Sequence, residues 1–298
     1  MNGLAPVLGV ARARFLLLPV TLVAAGSAAA AYEGAFSWPR TLLALVGLLL
    51  LHAAVNAFNE ASDMTTGIDL RTTRTPFSGG SGTLPSGLLS VRATLVFAYG
   101  CAIVGGLIGG WFALRLDPTF AILMAAGAAA VLFYSELFAR TGVGEVFAGL
   151  GLGALPIWGA AWVQGPIPGP AALWAGVPGF FMTFDLLLLN EFPDEAADRA
   201  GGRRNIVLML GRERAALVYA AAAILTPLSI VLAVVLGALP PHALAAMLPS
   251  LLLVKPLSWA FGSAQSPVPI PAMGANVVWN LATNSVLAAA LAAATAMR

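Results

Sequence analysis

Nine apolar runs, at approximately 12–32, 41–58, 91–114, 119–138, 144–164, 171–191, 214–238, 242–262 and 275–297, occupy most of this 298-residue chain. Each is roughly 18–24 residues long, the length at which a helix crosses the hydrocarbon core of a bilayer. Within lipid a backbone must satisfy its own hydrogen bonds, so repeated runs of this kind leave a helical bundle as the fold. Composition agrees: the chain is 59% hydrophobic and 9% charged, against about 25% charged residues in an ordinary soluble domain. No polar linker is long enough to separate two units. Residues 1–298 are therefore read as one all-α, polytopic membrane domain of about nine transmembrane helices. The eighth is the least regular, since Pro249, Lys255 and Pro256 interrupt it.

The bilayer is thus the first partner, and a nucleic-acid partner is not expected. The first run follows Arg12 and Arg14 and is longer than the apolar core of a secretory leader, so it is read as a retained span. Cys101 is alone and lies within the third run, which excludes a disulfide and a cysteine metal site. With nine spans, twelve basic residues fall on one side of the membrane and three (Arg40, Arg115, Arg298) on the other. The positive-inside bias then places the amino terminus in the cytoplasm and the protein in the inner, or plasma, membrane.

Eight of the thirteen acids lie in or beside two clusters, NAFNEASDMTTGID and NEFPDEAADR, each at the tail of an apolar run. Spacings of three and four residues put Asn56, Asn59 and Asp63 on one helix face, and Asn190, Asp194 and Asp198 on another. Asp69 follows the first group. Charges are costly in a bilayer, so two such faces mark a site. The parallel between the two regions, each a polar helix end followed by a long loop (about 59–90 and 192–213), suggests two related halves that each give one helix to a shared cavity.

Carboxylates alone repel a diphosphate, whereas Mg²⁺ takes oxygen ligands from both. Asp63, Asp194 and Asp198 are the leading ligand candidates, with Asn56, Asn59, Asn190 and Asp69 beside them. Arg71, Arg74, Arg199, Arg203 and Arg204 lie in the adjoining loops, placed to grip phosphate oxygens by charge-assisted hydrogen bonds. Between the clusters, Ser78-Gly79-Gly80-Ser81-Gly82 turns sharply and exposes backbone N–H groups, although no Gly-Lys-Ser/Thr ending makes it a nucleotide loop.

These two motifs resemble the signatures of the UbiA-type intramembrane prenyltransferase superfamily, over about Asn56 to Arg214. The resemblance implies a bundle with a central cavity that holds a polyprenyl diphosphate and opens laterally to lipid. It also implies that Asn59, Asp63, Asp194 and Asp198 hold Mg²⁺ and diphosphate. Three further stretches, RTPFSGGSGTLPSG, TGVGEVFAGLGLGALPIWGAAWVQ and DRAGGRRNIVLMLGRERA, resemble 1,4-dihydroxy-2-naphthoate polyprenyltransferases. Glu60 departs from that pattern, which has Asp there, and Arg203-Arg204-Asn205 replaces Lys-Arg-Thr.

What the resemblance implies is transfer of a prenyl group to an aromatic acceptor, dihydroxynaphthoate first, within menaquinone biosynthesis. Other acceptors of the same chemistry are 4-hydroxybenzoate, homogentisate, a tetrapyrrole or a glycerol phosphate lipid. Aromatic faces stabilise cations; Phe58, Phe77, Tyr134, Trp158 and Trp162 are available, and the resemblance includes Tyr134. Glu145 reads as a structural helix-start acid, and Asn276, Asn280 and Asn284 as ties between helices. Asp185, within the sixth run, is open between a substrate contact and a buried hydrogen-bonded group. A transporter is the rival of another class, but its polar groups belong at the midplane rather than at one membrane face.

Overall fold

The computed structural model describes residues 3–298. It contains nine helices long and apolar enough to cross a membrane, and no strand among the described residues. They are α1 (Ala13–Tyr32), α2 (Trp38–Thr66), α3 (Val91–Ala113), α4 (Phe120–Thr141), α5 (Gly144–Trp162), α6 (Pro170–Ala200), α7 (Arg212–Val235), α8 (Pro241–Gly262) and α9 (Ile270–Ala296).

Each apolar run lies in one helix, and the polar clusters extend two of those helices, as their three- and four-residue spacing implies, beyond the loop starts expected near 59 and 192. Helix α2 continues eight residues beyond the apolar run and ends only at Thr66, where Gly67 takes a left-handed φ of 76°. Helix α6 continues to Ala200. The reason is local: Asn59 Nδ2 donates to Asp63 Oδ2 at 2.8 Å, an i,i+4 pair that needs the helix. The loops are accordingly shorter than 59–90 and 192–213, and Ile206–Leu210 forms a short helix capped by Asn205, whose Oδ1 accepts from Leu208 N–H at 2.9 Å.

Helix α1 packs along α9 and α5, α2 along α3, and α6 along α7. Small residues let backbones approach: a Cβ on Gly153 of α5 would stand 2.3 Å from the Gly179 carbonyl of α6. The irregular eighth span is a 3₁₀ helix over Pro241–Leu253 and α-helical only from Val254. Tyr134–Phe138 and Leu150–Ala154 widen into π turns, a geometry that often lies beside functional sites. Both line the space that α2 and α6 enclose, because Tyr134 and Leu152 face it.

Candidate active site

The carboxyl-terminal ends of α2 and α6 open into one cavity. From α2 it is lined by Asn56, Asn59 and Asp63; from α6 by Asn190, Glu191, Asp194 and Asp198. Asp69, Ser78, Gly79, Gly80 and Arg203 come from the adjoining loops, Tyr134 from α4, and Arg12 from the residue before α1. Two stretches 120 or more residues apart in sequence thus share one pocket.

Arg203 joins them. Its Nη2 donates to Asn59 Oδ1 at 2.8 Å and pairs with Asp63 Oδ1, while its Nε lies 3.6 Å from Asp198 Oδ1. Asp198 is held further by Asn205 Nδ2 at 2.9 Å. Asp194 accepts from the Thr72 hydroxyl and from Gly79 N–H at 3.2 Å.

The glycine-rich loop is pinned to both helices. Ser81 donates to Glu60 through its backbone N–H (2.8 Å) and its hydroxyl (2.7 Å), and Arg12 Nε meets the same carboxylate at 2.8 Å. Gly79 and Gly80 have φ of 81° and 71°, and a Cβ on Gly80 would stand 2.6 Å from Asp69 Oδ1. Glycine is the residue that both constraints allow. Asp69 Oδ2 is buried with no hydrogen-bond partner. Burial, then the charges of Asp63 and Glu60, push the Asp69 carboxyl up to about 7.

The other sequence candidates fall elsewhere. Arg71, Arg199 and Arg204 are exposed and do not line the cavity; Arg199 pairs with Glu195 at 3.3 Å. Arg74 lines a neighbouring space between the amino-terminal helix and the glycine loop. Of the five aromatics, Tyr134 and Phe77 face the cavity. Phe58 packs on Tyr99, Trp162 on Phe120, and Trp158 Nε1 donates to the Leu173 carbonyl at 3.1 Å.

Glu145 accepts from Ile206 N–H at 2.5 Å, anchoring the short helix after α6. Asn276 accepts from the Tyr219 hydroxyl at 3.0 Å and donates to the Asp185 carbonyl at 3.4 Å, tying α9 to α7 and α6. Asp185 does not line the cavity, and neither of its carboxylate oxygens has a partner. Sequence reading missed Arg12, Thr72, Glu191 and Asn205 as parts of this site. The basic character of Arg12 was visible, but not its pairing with a residue 48 positions away.

The donor set suits a hard divalent cation: five carboxylates and three amide side chains face one space, with one buried oxygen of Asp69 and one of Glu191 unpaired. Among the described residues no three acids or histidines stand close enough to hold one ion. They approach as two groups with the Arg203 guanidinium between them.

Residues 17–280 match the UbiA prenyltransferase family. The chain belongs to that family. Its curated relatives diverge in substrate. It is 27% identical over 252 residues to digeranylgeranylglyceryl phosphate synthase of Natronomonas pharaonis, covering 82% of this chain and 85% of that one. It is 25% identical over 236 residues to 1,4-dihydroxy-2-naphthoate octaprenyltransferase of Bacillus subtilis, covering 77% and 72%. A UbiA homologue from Archaeoglobus fulgidus, solved bound to GPP and Mg²⁺, has the same fold. Its TM-score is 0.65 at 15% identity, over 95% of this chain and 99% of that one. As a member of the UbiA family the protein is an integral membrane prenyltransferase that acts on isoprenoid diphosphates.

Proposed function

We propose that this prenyltransferase uses the cavity between α2 and α6 to draw diphosphate from a polyprenyl diphosphate, and that its acceptor is 1,4-dihydroxy-2-naphthoate. The observation that carries the first part is the convergence of Asp63, Asp194, Asp198 and Arg203 on one space. The resemblance of the Arg74–Gly87 loop and the B. subtilis relative support the acceptor. The N. pharaonis relative favours a second reading, in which a glyceryl phosphate lipid accepts the prenyl group.

In this reading Asn59, Asp63, Asp194 and Asp198 hold Mg²⁺, as the donor set and the Mg²⁺-bound homologue support. When bound, Mg²⁺ would neutralise the diphosphate and stabilise the charge that develops as it leaves. Arg203 and Arg12 supply fixed positive charge on the cavity wall, and Ser78, Gly79 and Gly80 bring the loop close to the anion. Asn56, Asp69 and Asn190 orient the head group from the remaining wall.

The bond between prenyl C1 and the bridging oxygen breaks, and its electron pair departs with diphosphate. The ring carbon bearing the carboxylate attacks C1, and loss of CO₂ restores aromaticity. Tyr134, 8% exposed and on the cavity wall, offers a ring face to the allylic cation. The loop and both carboxylate groups lie in the cytoplasm in this account.

The test is prenyl transfer by purified protein in proteoliposomes with geranylgeranyl diphosphate and Mg²⁺. Dihydroxynaphthoate and geranylgeranylglyceryl phosphate are supplied in parallel. A decarboxylated prenyl naphthoquinol is expected; product from the lipid acceptor alone would replace the first acceptor by the second.

A further inference from the structure

Arg12, Arg14 and Arg74 line one space on the membrane face that carries the carboxylates, and among the described residues no acid lines it with them. One wall is made by residues between Leu8 and Phe15, where the short amino-terminal helix gives way to α1; the other is the glycine loop from Arg74 to Ser81. The space encloses about 430 Å³. Glycines hold its walls together: a Cβ on Gly9 would overlap the Thr83 hydroxyl, and one on Gly82 would overlap the Arg74 guanidinium. Arg12, Ser78 and Gly80 also line the catalytic cavity, so the two spaces share a wall.

Charge in this pocket is unbalanced. Arg12 pairs with Glu60 at 2.8 Å, and the same carboxylate accepts both donors of Ser81. Arg14 and Arg74 form no ion pair among the described residues. Like charges gathered around one space repel, and an anion between them turns that repulsion into attraction. Phosphate oxygens suit the set, because guanidinium forks donate to them by charge-assisted, bidentate hydrogen bonds.

Position decides the source of the phosphate. Ala13, Arg14 and Phe15 are the first turn of a membrane span, the level at which lipid head groups lie. Leu8, Phe15 and Phe77 give the pocket an apolar side that a free anion would leave uncovered. Farther along α1, Leu17 and Val20 are 57% and 40% exposed, an apolar track for acyl chains.

We propose that this pocket binds the phosphate of an anionic bilayer phospholipid through Arg14 and Arg74, with Arg12 behind them. A lipid there offsets the positive charge beside the glycine loop and leaves the catalytic cavity free. The proposal does not depend on which acceptor the enzyme uses.

The test counts lipid bound to the full chain by native mass spectrometry, in detergent titrated with phosphatidylglycerol or phosphatidylcholine. The proteins are wild type, Arg14→Gln, Arg14→Gln/Arg74→Gln and Arg92→Gln, and thermal unfolding confirms that each is folded. Arg14 is exposed, so its single substitution keeps the test open if the double variant does not fold. Arg92 is exposed at the start of α3 on the same membrane face and does not line the pocket, so it controls for lost charge. Wild type and Arg92→Gln should bind phosphatidylglycerol about tenfold or more tightly than phosphatidylcholine. The double substitution should weaken phosphatidylglycerol binding about tenfold or more, the order expected for two interfacial charges, and Arg14→Gln should weaken it by less. Inorganic phosphate and diphosphate are titrated alone in parallel, with thermal shift as the readout. Equal phosphatidylglycerol binding in all folded variants, or no preference over phosphatidylcholine in wild type, would overturn the proposal. Stabilisation by inorganic phosphate that depends on Arg14, with no lipid retained, would assign the pocket to a free anion and overturn the lipid.

Discussion

Arg203 donates through Nη2 to Asn59 Oδ1 at 2.8 Å, linking the loop after α6 to the middle of the α2 motif. The same guanidinium meets Asp63 and Asp198, so one cation couples the two carboxylate groups. Removing one partner of a buried ion pair leaves the others uncompensated. Arg203→Ala should therefore cost about 3–5 kcal/mol of stability and reduce prenyl transfer about 100-fold or more. Thermal unfolding and steady-state kinetics check the two effects. Arg203→Lys restores charge without the planar fork, and should recover stability more than rate.

Glu60 organises the other end of the glycine loop. It is fully buried and receives Arg12 and both donors of Ser81. Glu60→Gln removes the ionic partner of Arg12 and should lower stability by about 2 kcal/mol. It should also speed proteolysis between residues 71 and 90. A variant with wild-type unfolding and cleavage would show that the loop is anchored elsewhere.

Asp69 gives the site a pH signature. Its carboxyl sits at about 7 against an ordinary 3.8, with burial the main cause and Asp63 and Glu60 adding to it. The folded protein therefore binds this proton more tightly than the unfolded chain does. Through this group, stability is highest below about pH 4 and falls as pH rises toward 7. Asp69→Asn should flatten that part of the unfolding profile and make the variant relatively more stable at pH 8 than at pH 4. An unchanged slope would contradict the assignment.

Asp185 presents the opposite case. Its carboxylate is fully buried, unpaired and outside the cavity. An unsatisfied buried polar group costs about 1–3 kcal/mol, a penalty that an apolar side chain with the same branching does not carry. Asp185→Leu should unfold at a higher temperature and retain prenyl transfer. Loss of activity in a stably folded variant would instead assign Asp185 a contact with substrate.

The helices were legible because hydropathy reports the bilayer directly: every apolar run is a span. The three- and four-residue spacing of Asn56, Asn59 and Asp63, and of Asn190, Asp194 and Asp198, shows the polar helix faces as well; only the loop starts near 59 and 192 fall too early, because hydropathy drops there while the backbone stays helical. The arginines show a second limit. Arg71, Arg199, Arg203 and Arg204 look alike in sequence, but only Arg203 enters the cavity. Gly202, at φ 78°, reverses the chain so that Arg203 N–H reaches the Asp198 carbonyl at 2.9 Å, turning that one side chain inward. The π turns at Tyr134 and Leu150 carry no periodicity signal that a linear reading could detect.

The central claim is that α2 and α6 hold one diphosphate jointly. Its most direct test is Mg²⁺-dependent binding of geranylgeranyl S-thiolodiphosphate to wild type, Asp63→Asn and Asp194→Asn, each with and without EDTA. Binding should be lost with EDTA in wild type, and weakened about 100-fold or more by either substitution alone, about 3 kcal/mol at 1.4 kcal/mol per tenfold. Tight binding that survives EDTA, or that depends on one helix and not the other, would contradict a shared site.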